Sequence, residues 1–547
     1  VLLAVNGAIY NARELRSGYS DFDFRSRSDS EVVLPLYLDR GSEGLADLDG
    51  MFAIAIYDGR VGELILARDR AGEKPLFYRE IGDEIWFASE LQALLDYKPR
   101  LSSLEPWAIR DFLTLGYVTE PRTIYRDITK VTAGSILSFS QGQHRTFQYW
   151  DCESKSRAAG ARDRSATQLE RLLMEAVERQ LVADVPVGVF LSGGVDSALL
   201  TALAVRRLGN DKVQTFSIGF TERSYDESNH ARSVAAWFNT RHIGFDATPT
   251  ALSQALQIIV DQVAEPIADP AVLPTYLLAR CAREHVTVVL SGEGADELFG
   301  GYPTYIGHEA ARMYNRLPRY VRRAMATAIG SIPVSHTGKV PLEYLLKRFV
   351  ASAGLELKPR HLDWFGTGLP ADVWQPDFCP QWESPAFPSG PTDIDRASLF
   401  DFRTYLRDNL LTKIDRATML ASLESRAPYL DTNLVEFALS LDASLKSRGV
   451  TTKWLLKQVA REWLPRVTVK RKKRGLSVPV AQWLNDSLRP DVDRLLARDT
   501  VDRRGLLRGV KVAQLVSEHR SRKVNHSRAL WPLLMLEYWI ERWVPED

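Results

Sequence analysis

Hydrophobic and polar positions change rhythm twice along the chain. Up to residue 150, short apolar runs alternate with turn residues: VLLAVNGAIYN, GMFAIAIYDG, ELILARDR, PLFYRE, EIWFAS and GSILSFS. This pattern predicts a sheet sandwich or an α+β layer, with a helix at 31–37. Asp58-Gly59 and Gln141-Gly142 mark hairpin-type turns. Residues 151–166 open polar and charged and read as a linker. Leu169, Leu172, Leu173, Ala176 and Val177 then fall at helical spacing over 167–180. From there the pattern alternates as in a doubly wound parallel sheet. Strands are predicted at 187–191, 213–220, 241–245 and 286–290, and helices at 225–236, 253–263 and 273–284. Residues 303–400 read as helix-rich, with loops around 364–392, and carry no chemical reading. Residues 530–543 read as a buried C-terminal helix. The division is therefore 1–150, a linker at 151–166, and 167–547.

A length of 547 residues predicts more than one domain. The 45% apolar and 25% charged residues are ordinary for a soluble globular protein. Lys and Arg number 70 against 69 Asp and Glu, so no overall basic field points to nucleic acid. Cys152, Cys281 and Cys379 are scattered, without a CxxC pair, which favours a reducing compartment and a cytoplasmic location. No apolar run reaches the roughly 18–20 residues of a membrane span, and no membrane partner is expected. The chain opens at Val1, already inside a strand-like run, and reads as a fragment, a processed form or an incomplete start.

The densest chemistry lies at 185–206. The apolar run Val187, Val189, Phe190, Leu191 leads into Ser192, Gly193, Gly194, Val195, Asp196 and Ser197. Adjacent glycines let the backbone turn tightly and approach a ligand. A helix opening at Ser197 or Ala198 turns its free N–H groups and positive dipole end toward that turn, which makes a phosphate cradle. The hydroxyls can donate to phosphate oxygens, and Asp196 can hold Mg²⁺ on them. The string has neither the lysine of a Walker A loop nor the third glycine of a dinucleotide fingerprint. A second apolar strand ends in Ser291-Gly292-Glu293-Gly294-Ala295-Asp296-Glu297. Two such turns predict one site at the carboxyl ends of a parallel sheet.

SGGVDS resembles the loop of the N-type ATP pyrophosphatases, which cleave ATP between its α- and β-phosphates and adenylate an oxygen. Beyond it, SGEGADE, FSIGF, YDES, the EPxxDP of 265–270 and NLLTKIDRATMLASLESRAPYLD resemble the asparagine synthetase B family. The resemblance implies that Leu191, Ile218, Ser291 and Gly292 contact ATP, and that Asp196 and Asp296 hold Mg²⁺. It implies that Glu293 steers the acceptor or the ammonia, that Lys453 is the catalytic lysine, and that Asp415 belongs to the acceptor pocket. It also places the basic run VKRKKRG near the phosphates.

Upstream, the words around Asn6, Asp29, Asp49, Arg68, Lys74 and Glu90 resemble, in order, the glutaminase domain of the same family. An Ntn-type glutaminase sandwich is implied, with Asn6 and Gly7 as oxyanion donors and Asp29 pairing with the glutamine ammonium. Ala8 stands where the family has Glu, and the family's N-terminal cysteine is not in the sequence. The reading is accordingly that ammonia rather than glutamine is used by the chain as written. Cys152, at the domain's exit, is a poor substitute nucleophile.

The expected activity is aspartate activation by ATP to β-aspartyl-AMP, followed by attack of ammonia, giving asparagine, AMP and pyrophosphate. Another carboxylate acceptor, or a non-catalytic regulatory role for the same fold, stays open, as does a homodimer. ATP and Mg²⁺ are the expected cofactors, and small molecules the expected partners.

Overall fold

The computed structural model describes residues 1–97, 103–157, 165–333, 342–378 and 381–544. Cys379 and positions 158–164 of the expected linker lie outside the described residues.

Among the described residues, the first 150 positions carry eight strands. These are β1 (Leu2–Ile9), β2 (Gly50–Asp58), β3 (Glu63–Arg68), β4 (Phe77–Ile81), β5 (Glu84–Ala88), β6 (Thr129–Lys130), β7 (Ser135–Ser140) and β8 (Gln143–Gln148). They form an antiparallel sheet ordered β1-β2-β3-β7-β8 and a smaller one ordered β5-β4-β6. Alternation sorts the side chains of β2. Phe52, Ile54 and Ile56 pack under Val33, Leu36 and Leu45, while Ala53 and Ala55 turn to Leu76 and Val131, which flank strands of the second sheet. The helix expected at 31–37 begins as a 3₁₀ turn, Asp29–Val32, and continues as Val33–Arg40. The linker starts with structure: Cys152–Arg157 is a helix, because Asp151 caps it by accepting from Ser154 N at 2.8 Å. Glu153 pairs with Arg403 at 2.8 Å and Lys155 with Glu436 at 3.0 Å.

Beyond the linker, five parallel strands follow among the described residues: β9 (Val187–Phe190), β10 (Gln214–Phe220), β11 (Arg241–Ala247), β12 (Val288–Leu290) and β13 (Glu424–Arg426). Their order is β11-β10-β9-β12-β13. The sheet is wound outward in both directions from β9, so the connections diverge between β9 and β12. Such a divergence leaves a crevice at the carboxyl ends of the two strands. The sequence does not announce β13, a three-residue strand with the polar string ESR. It exists because Glu424–Arg426 runs alongside Val288–Leu290.

The two parts share a core. Ile109, Phe112 and Ile128 belong to the same buried cluster as Phe216, Val272, Trp531 and Trp539. The helix Ser527–Trp543 is buried along most of its length. No helix among the described residues is long and apolar enough to cross a membrane.

Candidate active site

Both glycine turns emerge at the switch point. After β9, Ser192 and Gly193 (φ +71°) lead to Gly194, which caps the helix Val195–Leu208 in extended conformation. The helix therefore starts two residues earlier than the expected Ser197, because extended Gly194 is where the chain turns into it. This places Asp196 in its first turn. Ser192 and Ser197 hydroxyls lie 3.1 Å apart, and Ser192 Oγ accepts from Gly194 N at 3.3 Å. Leu191 and Ile218 are buried beside the loop, and Leu191 N donates to Phe216 O at 2.8 Å. After β12, Ser291 is held by donating its N–H to Arg426 O at 2.8 Å, while its Oγ is buried without a partner among the described residues. A Cβ on Gly292 would stand 3.4 Å from Asp196 Cβ, so the turns touch at that point.

Lys453 joins them. It does not sit on the outer face of an amphipathic helix. It is the N-cap of Trp454–Trp463, in the left-handed region at φ +53°, and is 2% exposed. Such a backbone costs a non-glycine residue free energy and is kept where surrounding structure demands it. Here two carboxylates demand it. Lys453 Nζ lies 2.6 Å from Asp196 Oδ2 and 2.7 Å from Asp296 Oδ1. Lys473 pairs with Asp296 from the other side. Burial pushes the Asp296 carboxyl up, but Lys453 and Lys473 outweigh it and hold it at about 2. Burial likewise works against the charge on Lys473, yet Asp296, Asp196 and Glu293 raise it above the ordinary lysine value.

Lys473 and Arg471 come from the basic run. Arg471 leaves the helix Arg466–Lys470 in extended conformation, and residues 471–479 have no regular secondary structure. Arg471 reaches Ser192 O at 3.1 Å and Glu227 at 2.9 Å, while Lys472 and Arg474 are exposed. Sequence reading located the run but could not choose among its bases, since nothing in VKRKKRG shows which of them the fold turns inward. Tyr429 was also missed. Its hydroxyl donates to Asp196 O at 3.1 Å.

Glu293 lies 3.9 Å from Lys413, which also pairs with Asp269 at 3.3 Å. Burial lowers the Lys413 ammonium, but Asp269 and Glu293 more than restore it. Beside Asp269 opens a cavity of about 190 Å³ whose wall includes Phe365, Tyr405, Asn409, Arg528 and Trp531. Asp415 is not on that wall. Its carboxylate pairs with Lys74 at 3.2 Å and lines a second cavity, of about 40 Å³, between the N-terminal part and the parallel-sheet part.

In the N-terminal part, Asn6 Nδ2 donates to Ser89 Oγ at 3.0 Å, and Asp29 Oδ2 accepts from Ile9 N at 2.6 Å. A Cβ at Gly7 would stand 2.0 Å from Met51 O, so pairing with β2 already requires glycine there. Ala8 is buried. Cys152 is a free thiol, buried, and burial pushes it up to about 12, which withholds the thiolate a nucleophile needs.

Asp196 and Asp296 offer oxygen donors of the kind a hard cation takes, though both pair with lysines here and no group of three or more metal-ligating side chains occurs among the described residues. Two carboxylates converge, and Asp196 Oδ1 is buried without a hydrogen-bond partner among the described residues.

A family model described as asparagine synthase matches residues 168–541, and one described as a glutamine amidotransferase domain matches residues 1–150. The chain belongs to the asparagine synthase family. Asparagine synthetase [glutamine-hydrolyzing] 1 of Bacillus subtilis is 31% identical over 557 residues, covering 99% of this chain and 86% of that protein. A putative asparagine synthetase [glutamine-hydrolyzing] of Mycobacterium tuberculosis is 33% identical over 561 residues, 98% of this chain and 84% of its own. The amidase chyE of Penicillium rubens is 25% identical and covers 92% of this chain and 80% of its own. Residues 151–167, which include the helix Cys152–Arg157, separate the two matched ranges of this family member.

Proposed function

We propose that this chain forms an amide from a carboxylate, ATP and ammonia. An acceptor carboxylate oxygen attacks the α-phosphorus of ATP and pyrophosphate leaves. Ammonia then attacks the acyl carbon of the adenylate, AMP departs, and the nitrogen gives up a proton. The observation that carries this reading is the convergence of Lys453, Asp196 and Asp296 at the crevice between β9 and β12.

Ser192, Gly193, Gly194 and Ser197 would cradle the phosphates at the start of a helix, where free N–H groups and the dipole favour negative charge. Leu191, Ile218, Ser291 and Gly292 would wall the nucleotide. Lys453 would neutralise charge growing on the departing pyrophosphate. Asp196 and Asp296 would hold Mg²⁺, which when bound withdraws charge from phosphate oxygens. Glu293, with Lys413, would orient the acceptor or the incoming ammonia. In an intact relative the N-terminal domain would supply the ammonia from glutamine, with residues matching Asn6, Gly7 and Asp29; this chain as written would take ammonia directly. Free Cys152 and Cys281 fit a reducing compartment such as the cytoplasm.

Aspartate is the first acceptor to test. The cavity beside Asp269 favours a second reading, another and larger carboxylate, because Phe365, Tyr405 and Trp531 offer apolar surface that aspartate leaves unused. A pyrophosphate-release assay with ammonium, over a panel of amino acids and sugar acids, separates the two. Aspartate turnover is expected. Turnover on another acid alone establishes the second reading, and release on none refutes both. Lys453→Ala, folded by circular dichroism, is expected to lower turnover about 10²–10³-fold, as for loss of one preorganised charge-stabilising group. Unchanged turnover would remove the lysine from the chemistry.

A further inference from the structure

We propose that the helical arm running from Arg312 to Ile332 seats the protein on an anionic lipid surface. A surface contact needs no membrane-length segment, so it is compatible with the absence of one. The arm comprises the end of the helix Pro303–Tyr314 and the helix Arg319–Gly330, packed against Leu342–Ser352. From position 310 to 332 the sequence holds Arg312, Arg316, Arg319, Arg322 and Arg323 and no Asp or Glu, in a chain whose charges as a whole balance at 70 against 69.

Apolar side chains run in step with the arginines: Met313 follows Arg312, Leu317 follows Arg316, and Tyr320 follows Arg319. They are in water. Met313 is 70% exposed and Tyr320 76%, with Leu317, Met325, Ile332, and Leu342 of the adjoining helix exposed as well. The helix Arg319–Gly330 buries no residue completely. Arg322 donates to Asn315 at 3.2 Å, and Arg312 lies 3.9 Å from Glu309. Among the described residues no carboxylate lies within ion-pair reach of Arg316, Arg319 or Arg323.

Pattern and charge together select the occupant. A protein interface collects apolar side chains at a centre depleted of charge and surrounds them with a polar rim. Here the exposed apolar residues stand beside arginines, Met313 next to Arg312, Leu317 next to Arg316 and Tyr320 next to Arg319. That suits a headgroup layer, where guanidinium groups meet phosphates while Met, Leu and Tyr dip toward the acyl chains. The surplus positive charge requires the surface to be anionic.

Flotation of the full chain with vesicles tests this. Binding is expected to equimolar phosphatidylglycerol and phosphatidylcholine, to weaken with salt, and to be absent with phosphatidylcholine alone. Arg319→Gln with Arg323→Gln is expected to weaken it about thirtyfold. Met313→Ser with Tyr320→Ser is expected to weaken it further. The control, Arg145→Gln with Arg241→Gln, changes net charge equally and is expected to leave binding unchanged. The proposal is overturned if anionic vesicles do not bind the protein at low salt, or if arm and control variants lose binding alike. It is also overturned if light scattering shows a dimer that Tyr320→Ser dissolves, since a second copy would then cover the arm.

Discussion

Arg360 Nε–H can only donate, and it points at His308 Nδ1, 3.1 Å away. That one contact orders a chain of buried groups. His308 Nδ1 must accept, so its proton sits on Nε2, which meets His361 Nδ1 at 3.0 Å. His361 Nδ1 must then accept as well, and its Nε2–H is left for Asp401 Oδ1 at 2.8 Å, while Tyr305 donates to Asp401 Oδ2 at 2.7 Å. Burial, His361 and Arg360 together lower His308 to about 2. A histidine depressed in the folded state and ordinary when unfolded binds a proton only on unfolding as pH falls below about 6.5. Stability is therefore full above that pH and declines beneath it. At pH 5 the loss from this group is about 2 kcal/mol relative to pH 7. Urea midpoints measured at both pH values should show it. His308→Gln should be less stable at pH 7 but lose less on acidification. An unchanged pH slope would mean that His308 is not locked neutral. None of this was legible in 303–400, because the partners lie on three helices separated by up to 96 positions.

At the scale of elements, the site depends on how closely short segments approach. Gly301 follows the helix Ala295–Phe299, and a Cβ there would fall 1.9 Å from Asp296 Oδ1 and 2.3 Å from Lys453 Cε. Gly301→Ala should therefore displace the carboxylate or the lysine. The overpacking should cost about 1–3 kcal/mol. Turnover should fall about 10²-fold, as for a misplacement near 1 Å. Thermal denaturation beside pyrophosphate release would separate the effects, and a variant with native turnover would show that the pocket yields cheaply. The two glycine turns were legible because each follows an apolar strand directly. The left-handed cap at Lys453 was not, since TTKWLL reads as the start of an ordinary amphipathic helix.

For the whole molecule, the two parts are fastened by buried charge. Lys74 and Asp415 are 6% and 7% exposed and 3.2 Å apart. Ile124 N donates to Glu265 at 2.8 Å, and Thr432 donates to Asp49 at 2.6 Å. Lys74→Met strands the Asp415 carboxylate, and breaking a buried pair in this way typically costs about 3–5 kcal/mol. Adding Asp415→Leu should recover most of that loss in denaturant midpoints. If the double variant is no more stable than the single one, the pair is not isolated as described. By itself the sequence determined the β-rich first part, the alternating second part, both glycine turns and the family, because period, glycine placement and contiguous words are local properties. Only the tertiary structure decided which charges meet. It set Lys453 between two aspartates, chose Lys473 and Arg471 from a run of five bases, and paired Asp415 with Lys74 across 341 positions. Such pairings are made where the sheet changes direction and where the two parts close on each other, and no neighbour in the sequence encodes them.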